Sequence, residues 1–224
     1  DLFEMTYIKD IKDRNKIRYE AELGELLDIL ASSTGSLTNP QKLSNTFKSK
    51  RNSGFAETTI TRYCSFLENA FIISKGNRYD VKGKKYISTP FKYYFEDVGL
   101  RNARLNFRQQ EENHIMENII FNELRYRGFS VDVGVVEARE KTPDGKEVRK
   151  QLEIDFVANS GSKRYYLQSA FNLATPEKDA QERRPFQKVN DSFKKIILVR
   201  DNIKIRRDES GIVTMGVLEF LLNP

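Results

Sequence analysis

Apolar residues recur at helical spacing in the N-terminal part of the chain. Residues 23–30, 43–47 and 60–71 each carry apolar side chains three or four positions apart, which predicts three amphipathic helices. A Thr-Asn-Pro sequence ending at Pro40 marks the start of the second helix, because proline is favoured in the first turn. A weaker helical pattern within residues 1–18 predicts a linker helix ahead of these three.

A basic hairpin is predicted after the third helix. Residues 71–73 favour a short strand, residues 75–78 a turn and residues 84–87 a returning strand. Three helices followed by a hairpin are the order of elements in a winged helix. The sequence therefore predicts a winged-helix-like module over residues 19–100, after the linker helix.

The hydrophobic period changes in the second half of the chain. A helical pattern is followed by strand-like alternation in three segments of residues 131–173. Pro176 then opens a charged helix, and the wholly apolar residues 196–199 predict a central strand. This order of helix, three strands, helix and strand predicts an α/β module with a mixed sheet over residues 101–224. The predicted fold class of the whole chain is α+β.

Composition excludes several classes of function. The 224 residues carry 38 Lys and Arg against 32 Asp and Glu, and this net charge of +6 weakly favours a phosphate-bearing partner. A single cysteine, Cys64, and the absence of a long apolar run predict a cytoplasmic chain with no membrane partner. One histidine and one cysteine are too few for a structural zinc site. Residues 76–85 have the wrong glycine spacing for a phosphate loop, so we expect no ATP hydrolysis by this chain itself.

The third helix and the hairpin carry the candidate DNA contacts. An exposed helix face suits a major groove, and a basic hairpin suits the flanking phosphates of duplex DNA. The alternative is a protein-docking module whose lysine-rich hairpin is merely solvated. The candidate nucleic-acid-binding residues are Thr58, Thr61 and Arg62 on the helix, and Lys75, Arg78, Lys82, Lys84 and Lys85 on the hairpin.

A second set of residues follows the order of a known nuclease pattern. Glu117 lies on a predicted helix, Asp155 on a strand and residues 166–170 on the next strand. In this the chain resembles the PD-(D/E)XK nuclease fold, where strands bearing Asp and Glu-x-Lys follow a helix with an acidic residue. The runs that begin at Glu117 and Glu153 resemble, more particularly, the C-terminal region of bacterial and archaeal AAA-type ATP-binding proteins, a domain of unknown function. This resemblance covers nearly the whole chain and implies a preceding ATPase module that binds ATP.

The nuclease-like positions are incomplete. Active members of that fold bind Mg²⁺ or Mn²⁺ through carboxylates, and a lysine two residues along the strand shares the same face. Asp155 keeps the first acid and is the metal residue if there is one, whereas Gln168 replaces the second acid and Ala170 the lysine. The resemblance therefore implies a degenerate catalytic site at Glu117, Asp155, Gln168 and Ala170.

Three functions remain open from the sequence. The leading hypothesis is a non-catalytic DNA- or protein-binding region of an AAA-type ATP-binding protein, with the ATPase module of the same parent as a partner. The second is a metal-dependent nuclease rearranged around Glu117 and Asp155, in which a relocated Lys150 or Lys163 restores activity. The third is a protein–protein docking module only. A solvated helix face for Glu117 and the polar side of a strand for Asp155 are the simpler explanations of these carboxylates.

Overall fold

The chain forms two compact units whose segments alternate along the sequence. The computed structural model describes residues 8–51, 55–108, 111–141 and 144–223. Unit 1 is formed by Asp1–Lys75 and Thr89–Glu111, and unit 2 by Gly76–Ser88 and Glu112–Pro224. The sequence predicts one boundary at residue 100, whereas the structure assigns the tip of the hairpin to the second unit.

Unit 1 is mainly helical, and the predicted apolar stripes face its core. Leu23, Leu67 and other buried apolar residues pack into one cluster. The side chain of Asn39 accepts a hydrogen bond from the backbone N–H of Lys42 (2.7 Å). This bond caps the start of the helix at Pro40, as the Thr-Asn-Pro sequence predicts. The helices of this unit are α1 Lys9–Asn15, α2 Glu20–Ser32, α3 Pro40–Arg51, α4 Glu57–Asn69 and α5 Val98–Arg104.

The hairpin is longer than predicted and reverses later. Its strands are β1 Ile73–Asp80 and β2 Lys85–Phe95, so the predicted turn at residues 75–78 lies inside β1. Strand β1 pairs in parallel with a strand of unit 2, and Arg78 lies opposite Val133 in that pairing. That pairing covers residues 78–80, so the chain is still extended where the predicted turn ends.

Unit 2 is an α/β unit whose order of elements agrees with the predicted helix, three strands, helix and strand. Its sheet has the order β2-β1-β3-β4-β5-β6-β8-β7. It is mixed, as predicted, since β3, β4 and β5 are antiparallel neighbours while β5, β6 and β8 run parallel. The remaining elements are α6 Glu112–Tyr126, β3 Ser130–Lys141, β4 Glu147–Ser160, β5 Lys163–Ala170, α7 Pro176–Gln187, β6 Lys194–Val199, β7 Arg206–Arg207, β8 Val213–Gly216 and α8 Val217–Leu222.

The position of α7 against the sheet follows from local sequence and from the core. The Thr175 side chain accepts a hydrogen bond from the backbone N–H of Lys178 (3.3 Å), and Pro176 occupies the first turn. Phe186 from this helix packs with buried residues of β4, β5 and β6. In the described ranges, no helix has both the length and the apolar character needed to cross a membrane.

Candidate functional site

A β-bulge in strand β4 shapes the predicted site. On one side of the bulge Val157 pairs with Asp132, and on the other side Ile154 pairs with Gly134. Two residues of β4, Asp155 and Phe156, therefore lie opposite the single residue Val133 of β3. Bulges of this kind turn side chains away from the regular alternation and are frequent beside functional sites. The bulge explains why residues 154–158 are all buried although the sequence predicts alternation.

Asp155 and Gln168 connect two strands where their regular pairing stops. The regular β4–β5 pairing ends at Phe156 and Leu167. One residue further, Asp155 Oδ2 accepts a hydrogen bond from the backbone N–H of Ser169 (2.7 Å). The backbone N–H of Asp155 in turn donates to Gln168 Oε1 (3.4 Å). Both side chains therefore bond to the backbone of the neighbouring strand, and the Asp155 side chain is only 8% exposed.

Gln168 also faces helix α7 across a shared cavity, which Glu182 of that helix lines as well. Burial raises the pKa of Glu182, partly opposed by the nearby amide of Gln168 and by Lys178. Gln168 joins β5 to β4 through the backbone N–H of Asp155.

A cavity of about 600 Å³ opens beside these residues. It is polar and carries charges of both signs. One of its cations, Arg184, is ion-paired with Glu140 of strand β3. The charged and amide side chains that line the cavity are those of Lys150, Gln151, Glu153, Asp155, Gln168, Glu177, Gln181, Glu182 and Arg184.

The remaining nuclease-like positions do not complete a metal centre. Ala170 is 2% exposed and packs in the apolar core, so the position of the missing lysine is filled by a methyl group. Glu117, on α6, is half-buried and is not among the residues lining the cavity beside Asp155. Within the part of the chain that the structure describes, no three His, Cys, Asp or Glu residues are placed to hold a metal ion. Gln168 and Ala170 thus present an amide and a methyl group where an active nuclease of this fold has a carboxylate and a lysine.

The two candidate replacements for that lysine differ in position. Lys150 lines the cavity together with Asp155, whereas Lys163 begins strand β5 and is not a lining residue.

In unit 1 the predicted DNA-facing residues lie on the outer face of α4. Thr58, Thr61 and Arg62 are all exposed. Thr61 Oγ1 donates to the backbone carbonyl of Glu57 (2.8 Å), which leaves the hydroxyl oxygen free to accept. The helix presents a polar face, as the sequence predicts.

Arg62 also lines a groove of about 510 Å³ between α4 and the segment that follows α1. We call this the basic groove. It is lined by Asn15, Lys16, Ile17, Arg18 and Tyr19 from that segment, and by Thr59, Arg62, Tyr63 and Phe66 from α4.

Three of the five predicted hairpin cations are engaged within the fold. Lys75 Nζ lies 3.9 Å from the centre of the Phe91 ring. Arg78 is only 8% exposed and donates to Gln151 Oε1 (3.0 Å). Lys82 Nζ donates to the backbone carbonyl of Glu137 (3.1 Å).

The other two hairpin cations, Lys84 and Lys85, are exposed. The hairpin is thus largely an edge of the sheet of unit 2, because β1 pairs with β3. This differs from the free basic wing expected from the sequence.

Sequence reasoning missed Lys16, Arg18 and Glu182. The first two fall in the predicted linker helix, which ends at Asn15 instead of continuing to residue 18. Their sequence signal was the alternation of Lys16, Ile17 and Arg18, in which the middle residue is buried and the outer two are exposed. Nothing local marked Glu182, because the residues that share its cavity, such as Asp155 and Gln168, lie on other elements.

Fold and site together define a mixed α/β protein with an eight-stranded mixed sheet and a polar cavity beside a bulged strand. Residues 1–111 match the family model described as "Domain of unknown function (DUF8612)", and the match ends at Glu111, where unit 1 ends.

Two relatives match most of the chain. It is 33% identical over 221 residues to an uncharacterized protein of Haemophilus influenzae, covering 99% of this chain and 51% of that protein. It is 26% identical over 199 residues to an uncharacterized protein of Methanocaldococcus jannaschii, covering 89% and 41% respectively. The chain therefore spans about half the length, or less, of these curated relatives. No solved structure gives a significant match.

Proposed function

We propose that this chain is a non-catalytic, DNA-binding region of a longer AAA-type ATP-binding protein. In this proposal unit 1 is the winged-helix-like part that contacts duplex DNA, and unit 2 is a nuclease-like part whose site no longer cleaves. ATP binds in the other module of the parent protein, and that module is the functional partner of this chain.

The observation that carries the non-catalytic assignment is the use of Gln168 within the fold. Its amide oxygen accepts a hydrogen bond from the backbone N–H of Asp155, where an active enzyme needs a carboxylate open to a metal. Ala170, two residues along, offers neither charge nor hydrogen bond. The antiparallel β3–β4–β5 strands followed by α7 and a parallel β6 agree with the order that the nuclease resemblance implies.

DNA binding is supported by the charge and exposure of α4 and its surroundings. Thr58, Thr61 and Arg62 give the helix a polar outer face, which also carries the exposed Glu57 in its first turn. Such a face suits phosphates and base edges better than it suits an apolar protein interface.

The assignment to an ATP-binding protein rests on the sequence resemblance and on the length of the relatives. The matched region is 51% of the Haemophilus influenzae protein, so that relative has room for a second module of similar size.

Binding and cleavage assays on the same samples test this proposal. We expect no cleavage of plasmid or single-stranded DNA with Mg²⁺ or Mn²⁺. We also expect duplex binding by fluorescence anisotropy whose log K falls linearly with log salt concentration, because phosphate contacts release counterions. The absence of binding at low salt would contradict DNA binding and favour protein docking as the role of unit 1.

A second candidate function is metal-dependent nuclease activity at a rearranged site. It is favoured by one observation, that Lys150 and Glu182 line the same cavity as Asp155. In that case cleavage should be lost in Asp155→Ala and Lys150→Ala and kept in Lys163→Ala, the matched lysine outside the cavity. Cleavage with this pattern would overturn the non-catalytic proposal.

A further inference from the structure

We infer that the basic groove of unit 1 binds a backbone phosphate of duplex DNA through Lys16, Arg18 and Arg62. This inference rests on the proposed DNA binding and identifies which surface makes the contact. It moves the main phosphate contact from the hairpin, where the sequence suggests it, to the segment that follows α1.

The first argument is charge. Three cations line the groove and no Asp or Glu does so. Among the described residues none of these three cations has an ion-pair partner, whereas the cations just before them on α1 are paired. Lys12 Nζ lies 3.2 Å from Glu20, and Arg14 lies 2.8 Å from Asp10. Like charges that share a cavity repel one another, and a bound phosphate converts that repulsion into attraction.

The second argument is backbone conformation at Lys16. This residue ends α1 in the left-handed region, with φ 49° and ψ 52°. Glycine is the usual residue at such a position because any Cβ is strained there. A lysine at this position costs stability, and the turn that it makes directs residues 16–19 along α4. That turn places the side chains of Lys16 and Arg18 beside α4, where both line the groove.

The third argument is that the wall of the groove is already ordered. Tyr63 is 2% exposed, and its hydroxyl accepts a hydrogen bond from the backbone N–H of Tyr19 (3.4 Å). The Tyr63 ring packs against Phe55 and Phe66, with centroids 5.6 Å and 6.1 Å apart. The segment carrying Lys16 and Arg18 is thus held against α4 before any ligand arrives, which lowers the entropy lost on binding.

Two matched lysine-to-glycine substitutions test the inference. Lys84 has the same left-handed geometry as Lys16, with φ 51°, and lies in the exposed turn of the hairpin. Glycine relieves backbone strain at either position, so both variants should melt at or above the temperature of the unsubstituted chain. We expect Lys16→Gly to weaken duplex binding about five- to tenfold near 0.1 M salt and to lower the log–log salt slope by about one. Lys84→Gly should weaken duplex binding less than Lys16→Gly does, because the inference assigns the main phosphate contact to the groove.

Arg62→Gln provides an independent variant on the opposite wall, where an exposed helix position tolerates the change. It should weaken binding by a similar factor and with the same loss of slope. The opposite result is that Lys84→Gly weakens duplex binding whereas Lys16→Gly and Arg62→Gln do not. It would overturn the groove as the contact and leave the proposed DNA binding intact. No duplex binding by the unsubstituted chain would instead remove both proposals.

Inorganic phosphate supplies the remaining comparison, because it shares the chemistry of the DNA backbone. The inference predicts that phosphate competes with duplex only weakly, since one isolated group replaces a linked series of contacts. In the contrary case, phosphate saturates the groove at concentrations that abolish duplex binding completely, with an effect that depends on Lys16. That result would identify a small-anion site and overturn the inference.

Discussion

At the scale of single residues, Gln168 and Ala170 both contribute to the packing of the sheet. Gln168 joins two strands, and Ala170 fills part of the apolar core. The cavity beside Asp155 also has a half-buried carboxyl, that of Glu182, whose protonation is linked to stability.

The first prediction concerns Glu182→Gln. Burial raises the pKa of Glu182 in the folded state, so the folded chain binds this proton more tightly than the unfolded chain does. Stability should therefore fall as pH rises from the ordinary carboxyl range through the folded pKa, and this loss should be absent when glutamine replaces the acid.

Chemical denaturation of both proteins at about pH 4 and about pH 7 checks this prediction. The stability of the variant relative to the unsubstituted chain should be higher at the higher pH. Glu209→Gln, which alters an exposed carboxyl, is the control. A relative stability of the Glu182 variant that does not change with pH would contradict it.

At the scale of elements, the bulge in β4 is the feature that positions Asp155. It brings the side chains of Ile154 and Val157 over Gly134 on the neighbouring strand. A Cβ built at residue 134 would lie 2.8 Å from Val157 Cγ2 and 2.9 Å from Ile154 Cβ. Glycine is therefore required opposite the bulge because of close packing.

The second prediction is that Gly134→Ala destabilises the chain by about 1–3 kcal/mol through overpacking. Val157→Ala removes the nearest atom of the clash, so the double variant should be less destabilised than the sum of the single variants by about 0.5–3 kcal/mol. Urea denaturation of the four proteins measures this coupling. Val199→Ala, a buried valine of the same core on β6, should instead combine additively with Gly134→Ala. If the losses of stability in Gly134→Ala and Val157→Ala simply add in the double variant, overpacking against Val157 is not the explanation.

At the scale of the whole molecule, the hairpin makes the two units discontinuous in sequence. Residues 76–88 belong to unit 2, where β1 pairs with β3 and Val81, 5% exposed, packs in the core. A cut at the boundary predicted from sequence therefore removes part of the sheet that it is meant to isolate.

The third prediction compares two fragments of unit 2. Residues 101–224 alone should aggregate or melt at a lower temperature, because the β3 edge and the contacts of Val81 are left uncovered. Residues 76–88 joined by a flexible linker to residues 112–224 should give a soluble fragment with a cooperative transition. Circular dichroism melting and size-exclusion chromatography distinguish them. Equal melting temperatures would show that the hairpin tip is dispensable for unit 2.

Much of the architecture was predictable because it depends on residues close together in the sequence. The stripe at residues 23–30 predicts α2 since neighbours three and four apart share a helix face. Residues 196–199 predict an interior strand, and β6 does lie between β5 and β8. The start of α3 at Pro40 follows from its own turn chemistry.

The candidate site was predictable only in part. Asp155 and Gln168 were identified from the resemblance, and the structure brings them together. Glu117 was predicted beside them, but it does not line their cavity. The fold engages Lys75, Arg78 and Lys82, which the sequence expects to be free, because burial and hydrogen bonding depend on partners elsewhere in the chain.

The sequence by itself determined most of the helices, the succession of strands and the neutral residues at Gln168 and Ala170, since each is a property of local order along the chain. The tertiary structure alone decided the parallel pairing of β1 with β3, the bulge at Asp155, the bond from Ser169 to Asp155 and the basic groove. Each of these features joins residues that are far apart in sequence. No local pattern encodes such contacts, because they form only when the elements pack.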